Sequence, residues 1–317
     1  MYSYVSVFAP YIVQFIDFKR SIGYKFHCTE YLCAFDRFAV ENDIQSVSLT
    51  REVCDLWAEK RRNESDVTKY KRVSAVRNLS RFMNDLGISS YVPRLPRNCK
   101  STFTPHIYSQ DEIYRFFTEC DKIGISPRTY TAPLYPALFR TLYGTGMRLG
   151  EALALRRSNV NLDDGLITLH GTKNGEDRLL PISDSLRGLL SGFASAYSGA
   201  NPNSYFFTKR NGKPLIHSDV YKTFRSLLLK CGIPYRGREN GPRIHDFRHT
   251  FSVHSLAKMS DDGLDLYYSL PILSKYLGHK SLEATDKYVR LTEEMFPSIL
   301  QKTNSICTYV FPEVART

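Results

Sequence analysis

The chain has 317 residues and a formal net charge of +11, with 42% hydrophobic and 13% aromatic residues. This length allows two domains, and the composition argues against a disordered chain. No window is apolar enough to span a bilayer, and the first 18 residues, without a basic region and interrupted by Gln14 and Asp17, do not have the pattern of a signal peptide. The excess positive charge favours a polyanionic partner, either nucleic acid or an anionic membrane surface, and nucleic acid is the stronger interpretation.

The seven cysteines are odd in number, scattered, and without a Cys-x-x-Cys pair. This pattern indicates free thiols in a reducing cytoplasm and favours neither a disulfide framework nor a zinc site.

The first 90 residues are predicted to be all helical. Apolar side chains recur at helical spacing in segments 5–22, 31–40, 53–58 and 73–86. Thr50 lacks the acidic partner of a capping box but can still cap the third helix.

Positive charge is concentrated late in this helical region and in the segment that follows. Residues 60–81 carry eight Lys and Arg side chains against two acidic ones. Residues 91–108, interrupted by Pro93, Pro96 and Pro105, are predicted to be a basic linker. Such surfaces suit a DNA backbone, although a charge run is often only a solvated face and a basic linker only a tether. The candidate DNA contacts are Lys69, Lys71, Arg72, Arg77, Arg94 and Arg97.

A second domain is predicted from residue 109. Ser109 and Glu112 have the spacing of a capping box at a helix start. Another helix is predicted over 136–143, ended by Gly144 and Gly146, and a third begins near Met147.

The hydrophobic period then changes from that of helices to that of strands. A hairpin is predicted from 160–162 and 166–169, and a further strand over 178–182 follows a turn at 172–176 that carries Lys173. Helical patterns resume from Ser185 and again from Ser218, and continue through residue 288. The fold class is therefore mainly α with a small antiparallel β-sheet.

Several polar residues of this domain could take part in catalysis or ligand binding, but each also has a purely structural interpretation. Arg148, after a glycine-rich turn, can bind two phosphate oxygens, or can pair with Glu151 at i+3. His245 and Arg248 share a face if their segment is helical. His245 and His249 have the i, i+4 spacing of a metal site, but Arg248 would set a fixed positive charge beside the metal.

Three further residues are ordinary by themselves. Lys173 is a typical solvated turn residue, His279 follows a glycine and can end a helix, and Tyr288 is one of 21 tyrosines. The order and spacing of the whole set give these residues their significance.

The set resembles the catalytic domain of the tyrosine recombinases, also called phage-type integrases, over roughly residues 109–292. The resemblance rests on Thr-Gly-Met-Arg-Leu-Gly-Glu at 145–151, the hairpin lysine, His-Asp-Phe-Arg-His at 245–249, Leu-Gly-His at 277–279, and a tyrosine nine residues later. Each segment alone is weak evidence, and the ordered set is specific.

The resemblance implies a nucleophilic tyrosine, Tyr288, that attacks a phosphodiester and forms a 3′-phosphotyrosine link. It further implies that Arg148 and Arg248 bind the phosphate oxygens and that Lys173 protonates the departing 5′-oxygen. His245 is expected to act as acid or base for the tyrosine. The expected catalytic residues are Arg148, Lys173, His245, Arg248, His279 and Tyr288, with Glu151 in support and with no cofactor and no metal.

The resemblance also implies an organisation and partners. Residues 1–90 correspond to a helical, SAM-like core-binding domain, 91–108 to the linker, 109–292 to the catalytic domain, and 293–317 to a tail that docks on a neighbouring protomer or on its own domain. The expected partners are double-stranded DNA with imperfect inverted repeats, further copies in a synaptic tetramer, and accessory or directionality factors. A cytoplasmic, DNA-associated location in a bacterium is expected, with no membrane partner.

One interval departs from compact members of the family such as the Xer resolvases. His279 follows His245 by 34 residues, and the extra length is predicted in 259–270, with a loop at 261–263. The departure favours integration, excision or transposition of a mobile element over resolution of chromosome or plasmid dimers. Two further functions stay open: a type IB topoisomerase, which shares the chemistry, and a non-catalytic DNA-binding protein on the same fold.

Overall fold

The computed structural model describes residues 3–24, 29–97, 104–123, 133–171, 177–197, 201–209, 211–237 and 241–279, with Thr285, Tyr288 and Leu291. The chain divides into two compact units, Met1–Thr102 and Phe103–Thr317. Lys173 and the predicted tail lie outside the described residues. No helix within the described ranges is long and apolar enough to cross a membrane.

The described part of the first unit is helical, as the apolar spacing predicts. Its helices are α1 (Ala9–Ser21), α2 (Glu30–Glu41), α3 (Arg51–Ala58) and α4 (Asp66–Asp85). The long helix α4 packs against the other three. Phe8, Phe35, Trp57 and Met83 are among the buried side chains of its core. Thr50 caps α3, because its hydroxyl accepts a hydrogen bond from the Val53 backbone N–H at 3.3 Å.

The start of the predicted linker packs on this first unit. The Tyr91 backbone N–H donates to the Leu49 carbonyl at 2.7 Å, and the Tyr91 carbonyl accepts from the Ser80 hydroxyl at 2.6 Å. Arg77 donates to the carbonyl of Pro93, which is itself buried. Residues 91–93 are therefore part of the helical unit.

The described part of the second unit combines helices with a small sheet. Its elements are α5 (Gln110–Asp121), α6 (Leu134–Thr145), α7 (Leu149–Ala154), a 3-10 turn (Arg157–Asn159), β1 (Val160–Asn161), β2 (Leu166–Leu169), β3 (Arg178–Pro181), α8 (Asp184–Tyr197), α9 (His217–Lys230), α10 (Asp246–Asp261) and α11 (Leu266–Leu277). The predicted capping box is present at α5, where Ser109 and Glu112 exchange backbone-to-side-chain hydrogen bonds.

The sheet is antiparallel, with the strand order β1-β2-β3. Val160 pairs with Ile167 across the first hairpin, and Leu169 pairs with Arg178 across the second. Arg178 is thus the first residue of β3 and lies at the end of the β2–β3 ladder. The predicted antiparallel arrangement is confirmed.

The predicted helical pattern from Ser218 through residue 288 is not continuous. Helix α9 ends at Lys230, and the described chain is non-helical until α10 begins at Asp246. Gly232 and Pro234 explain this break, because a positive φ and a missing backbone donor both oppose a helix. A second break at residues 262–265 separates α10 from α11. The predicted loop near 261–263 is therefore present, but it is short, and helix fills most of the long interval.

Aromatic packing fixes the start of α10 in the core. The ring of Phe247 is fully buried and lies 5.1 Å from the ring of Tyr108 and 5.2 Å from the ring of Phe116, measured between centroids. The Tyr108 backbone N–H also donates to the Thr250 hydroxyl of α10 at 3.0 Å. These contacts hold the first turn of α10, which carries Arg248, in a fixed place.

Candidate active site

Arg248 is the buried centre of the candidate site. Its Nη1 donates to the Gly146 carbonyl at 2.8 Å, and its Nη2 donates to the Leu277 carbonyl at 2.8 Å and to His279 Nε2 at 2.9 Å. Burial, followed by the positive charge of Arg148, lowers the pKa of Arg248 to about 10. The guanidinium therefore stays charged at neutral pH. It connects α10 with Gly146, 102 residues earlier in the chain, and with Leu277 and His279, 29 and 31 residues later.

The hydrogen bond from Arg248 to the Gly146 carbonyl depends on a tight turn in which position 146 has no room for a side chain. It caps α6 with a φ of +60°, as predicted, and an added Cβ would lie 2.5 Å from Cδ1 of Phe251. Both the left-handed backbone and the space require glycine. The sharp turn directs the Gly146 carbonyl to Arg248 and sets Arg148 at the start of α7.

Arg148 and Glu151 form the ion pair that the plainer interpretation of their spacing predicts. Arg148 Nη1 lies 2.7 Å from Glu151 Oε1, and the Arg148 backbone N–H donates to Glu151 Oε2 at 2.8 Å. Only 26% of the Arg148 side chain is exposed. The pair does not exclude phosphate binding, because a guanidinium has five donors and the carboxylate engages only one of them.

Glu151 is also bound by a second arginine, which sequence reasoning treated only as a strand residue. Arg178 Nη2 lies 2.9 Å from Glu151 Oε2, and Nη1 lies 3.4 Å from Oε1. Burial raises the pKa of Glu151, but the hydrogen bond from Arg148 and the charges of Arg178 and Arg148 outweigh it, so the net shift is downward. One indication of this role is present in the sequence, since Arg178 is a charged residue beside the apolar residues of β3.

His279 accepts a hydrogen bond from Arg248 and contacts Thr285. A guanidinium can only donate, so Nε2 of His279 must accept. Its Nδ1, 2.8 Å from the Thr285 hydroxyl, then carries the proton and donates it. The geometry thus favours the neutral imidazole with the proton on Nδ1.

Tyr288 is almost fully buried, with 1% of its surface exposed. It packs in an apolar cluster formed by Val253, Leu256, Leu273 and Leu277. Burial raises the pKa of the Tyr288 hydroxyl, and the nearby charge of Arg248 opposes that shift. The phenol is therefore the form that this structure favours at neutral pH.

His249 contacts the Tyr288 hydroxyl, a pairing that sequence reasoning missed. Its Nδ1 lies 2.9 Å from Tyr288 Oη, and the His249 side chain is buried. His245, the residue expected to assist the tyrosine, is exposed at the start of α10 with its ring 4.9 Å from that of His249. The i, i+4 spacing drew attention to His249 only as a metal ligand, and no group of three or more metal-binding side chains is present among the described residues.

The predicted DNA contacts of the first unit divide between the surface and the interior. Lys71, Arg94 and Arg97 are exposed, whereas Lys69 and Arg77 are half-buried. Their role in DNA contact stays a prediction.

The prediction for Arg72 is wrong. Arg72 is 1% exposed and forms an ion pair with Glu64 at 2.8 Å. Its guanidinium also donates to the carbonyls of Trp57 and Glu59 and stacks over the Trp57 ring. Buried partners inside the unit neutralise the charge of Arg72, so this residue stabilises the fold and does not face DNA.

Known proteins resemble the chain in sequence and in fold. The model of the phage integrase family matches residues 107–295, which is more than half of the chain. The protein y4rB of Sinorhizobium fredii, which carries an integrase/recombinase name, is 28% identical, and the match covers 94% of this chain and 97% of that protein. Tyrosine recombinase XerD of Oceanobacillus iheyensis is 25% identical, with 88% and 90% covered.

Solved structures have the same fold at low sequence identity. The lambda integrase dimer bound to a COC′ core site matches with a TM-score of 0.64 and 15% identity, covering 88% of this chain and 94% of that one. The Tn1549 transposon integrase in complex with transposon right end DNA matches with a TM-score of 0.59 and 16% identity, covering 90% and 99%. Fold, ordered motifs and family match agree, and the chain belongs to the phage integrase family.

Proposed function

We propose that this member of the phage integrase family is a site-specific recombinase that cuts and rejoins double-stranded DNA through a phosphotyrosine on Tyr288. The observation that carries the proposal is the position of Arg248, which bonds to the Gly146 turn and to His279 and opposes the rise in the pKa of the nearby Tyr288. A buried cation beside a tyrosine hydroxyl suits attack on a phosphodiester.

The first step forms one phosphate ester and breaks another. Tyr288 Oη attacks the scissile phosphorus, the new bond joins Oη to phosphorus, and the bond to the 5′-oxygen breaks. His249 Nδ1, at 2.9 Å, is positioned to receive the Tyr288 proton, and Lys173 supplies a proton to the departing 5′-oxygen. His245, beside His249, is a second candidate for proton transfer.

The second step reverses the first with a different strand. A 5′-hydroxyl of the partner duplex attacks the phosphotyrosine and restores the tyrosine hydroxyl. Each step exchanges one phosphate ester for another, so the route requires no nucleotide cofactor. Arg148 and Arg248 bind the non-bridging oxygens, where charge increases in the pentavalent state, and His279 lies beside them.

The partners follow from this chemistry and from the relatives. Double-stranded DNA is the substrate, and the lambda and Tn1549 integrase structures contain core-site or transposon-end DNA. We propose core sites arranged as imperfect inverted repeats, a synaptic tetramer of this chain, and accessory factors that set direction. The reaction takes place on bacterial DNA in the cytoplasm.

Covalent capture from random sequences tests the proposal and identifies the DNA site. The full chain is mixed with a pool of nicked duplexes whose sequence is randomised around the nick, so that cleavage near the nick releases a short oligonucleotide and traps the adduct. We expect an adduct that survives detergent and can be sequenced. Tyr288→Phe should yield none, because it lacks the nucleophilic oxygen. An adduct in the Phe variant, or none in the wild type, contradicts the proposal.

The captured sequence also distinguishes two roles. A site that flanks the gene itself indicates integration, excision or transposition of a mobile element, which the long interval between His245 and His279 favours. The similarity to XerD over 88% of the chain favours a resolvase of chromosome or plasmid dimers, and a single distant chromosomal or plasmid site would indicate that role.

A further inference from the structure

Arg178 contacts two separate parts of the candidate site. It pairs with Glu151 of α7, which in turn holds Arg148. It is the first residue of β3 and pairs with Leu169 at the end of the ladder. It also packs against the backbone of Gly278, the residue before His279.

The contact with Gly278 is close enough to exclude any side chain there. Gly278 has a φ of +67°, and a Cβ built on it would overlap Arg178 Nη1 and lie 3.2 Å from Cδ and Cζ. A second contact between the same elements joins the Tyr276 hydroxyl to the Pro181 carbonyl at 3.2 Å. The guanidinium of Arg178 thus forms the surface on which the turn into His279 lies.

A contribution to fold stability does not explain well why an arginine occupies this position. Its side chain is only 10% exposed, and its Nε has no hydrogen-bond partner among the described residues. Buried ion pairs often stabilise a fold no better than apolar residues of the same volume, because both charges lose their hydration. A charge retained at this cost suggests a role in the reaction.

The role that the contacts indicate is control of the local charge beside Arg148. Arg148 and Glu151 alone form a neutral pair, which attracts a phosphate only weakly. Arg178 shares the same carboxylate, so the group of three keeps one net positive charge. Arg178 Nη2 and the Arg148 backbone N–H both donate to Glu151 Oε2, at 2.9 and 2.8 Å, while Oε1 accepts from Arg148 Nη1 at 2.7 Å. Arg178 therefore helps to fix the carboxylate that orients the Arg148 guanidinium.

We propose that Arg178 is a positioning residue for strand cleavage: through Glu151 it orients Arg148 toward the scissile phosphate and offsets the Glu151 charge. This inference rests on the proposed function, in which Arg148 binds the non-bridging oxygens. Arg178 itself does not touch the phosphate in this scheme.

The test measures single-turnover adduct formation at saturating protein on a nicked duplex of the sequence that the wild type captures. The variants are Arg178→Met, which keeps an unbranched apolar stem and removes the guanidinium, Arg148→Ala, and the double variant. Arg187→Met is the matched control, because the ion pair of Arg187 with Asp184 is exposed. Melting temperature and duplex affinity are measured for each protein.

We expect Arg178→Met to slow cleavage by about tenfold to a hundredfold, less than or equal to the loss typical for removal of a direct oxyanion donor. Duplex affinity should stay within about twofold, because the many other phosphate contacts determine it. The loss from Arg178→Met should be smaller in the Arg148→Ala chain than in the wild type, because the orienting effect of Arg178 needs Arg148. Multiplied losses in the double variant would overturn the proposal.

A second substrate separates positioning from simple damage to the fold. A methylphosphonate at the scissile position replaces one charged non-bridging oxygen with a methyl group, so the reaction no longer needs the full arginine clamp. The loss from Arg178→Met should shrink to about threefold or less on this duplex, whereas a damaged fold would slow both substrates equally. Equal losses on the two substrates would overturn the proposal.

The conservative variant keeps the test decisive if Arg178→Met fails to fold. Arg178→Lys retains the charge but has no fork to engage both carboxylate oxygens. It should cleave the phosphodiester more slowly than the wild type and the methylphosphonate at a rate near that of the wild type, and equal losses would again overturn the proposal. A wild-type chain that forms no adduct would instead refute the proposed function, so the two failures are distinguishable.

Discussion

The imidazole Nδ1 of His249 lies 2.9 Å from the hydroxyl of Tyr288, and both side chains are buried. The pairing joins residues 39 positions apart in the chain. It places a histidine nitrogen in direct contact with the atom that we propose as the nucleophile, and in the tautomer with the proton on Nε2 this nitrogen can accept the Tyr288 proton.

Replacement of His249 should therefore slow cleavage. We expect His249→Gln to lower the single-turnover rate of adduct formation by about a hundredfold or more, in the range of general acid–base catalysis. His217→Gln serves as the control, because His217 is exposed at the start of α9. A rate within about twofold of the wild type in His249→Gln would leave His245 as the acid or base, and the same assay on His245→Gln would then show the larger loss.

The buried Tyr288 hydroxyl should affect stability in alkaline solution. Burial raises its pKa above the ordinary value of 10.0 in the folded chain, whereas the unfolded chain keeps the ordinary value. The unfolded state therefore loses this proton first as the pH rises, and the stabilisation, complete below pH 10, is lost as the pH rises through the folded pKa.

Tyr288→Phe has no such proton to lose. The melting temperature of the wild type should therefore fall more steeply above about pH 10 than that of Tyr288→Phe. Tyr268→Phe, at an exposed tyrosine of α11, is the control and should follow the wild type. Parallel curves for the wild type and Tyr288→Phe would contradict the buried state of the tyrosine in the chain without DNA.

The features that the sequence predicts well are local ones. The capping box of Ser109 and Glu112, the Thr50 cap and the left-handed Gly146 each depend on residues within three or four positions. The strand pairings β1–β2 and β2–β3 are also local, because the paired strands follow one another in the chain. Short-range backbone preferences decide such features before any packing forms.

Features decided by packing were missed. Whether Arg72 faces solvent or Trp57 depends on where α3 lies, and charge alone does not reveal it. Arg178 and Glu151 are 27 residues apart, and only the folded sheet brings them together. His249 was overlooked for a related reason, since its partner Tyr288 is reached through the packing of α10 against α11.

The Glu151 carboxylate should stabilise the second unit in a pH-dependent way. Burial raises its pKa, but Arg148 and Arg178 lower it further, so the folded pKa lies below the ordinary 4.5. The stabilisation is therefore fully present above about pH 4.5 and is lost as the pH falls through the folded pKa. Glu151→Gln, which cannot ionise, should be less stable by about 3 kcal/mol at neutral pH, as for a broken buried ion pair.

The difference in melting temperature between the wild type and Glu151→Gln should accordingly shrink as the pH is lowered below about 4.5. Asp184→Asn is the matched control, because Asp184 is exposed and its pair with Arg187 contributes little. A difference that stays constant from neutral to acidic pH would show that the charge of Glu151 is not what stabilises the unit.

Arg72 and Lys71 are neighbours in the chain with opposite surroundings, and they allow a direct comparison. Arg72 is buried on Trp57 and pairs with Glu64, whereas Lys71 is exposed. Arg72→Met should lower the free energy of unfolding of the first unit by about 3–5 kcal/mol, because it leaves the Glu64 carboxylate buried without its partner. Chemical denaturation monitored through the fluorescence of Trp57, the one tryptophan of the chain, measures this loss.

Lys71→Met should behave in the opposite way. Its stability should match the wild type, because surface substitutions of this kind cost less than about 0.5 kcal/mol. If the exposed face of α4 contacts DNA, the affinity for duplex DNA should fall and the slope of its salt dependence should decrease by about one, as expected for the loss of one phosphate contact. An unchanged slope would remove Lys71 from the contacts, and an unfolding free energy of Arg72→Met equal to that of the wild type would contradict the buried ion pair.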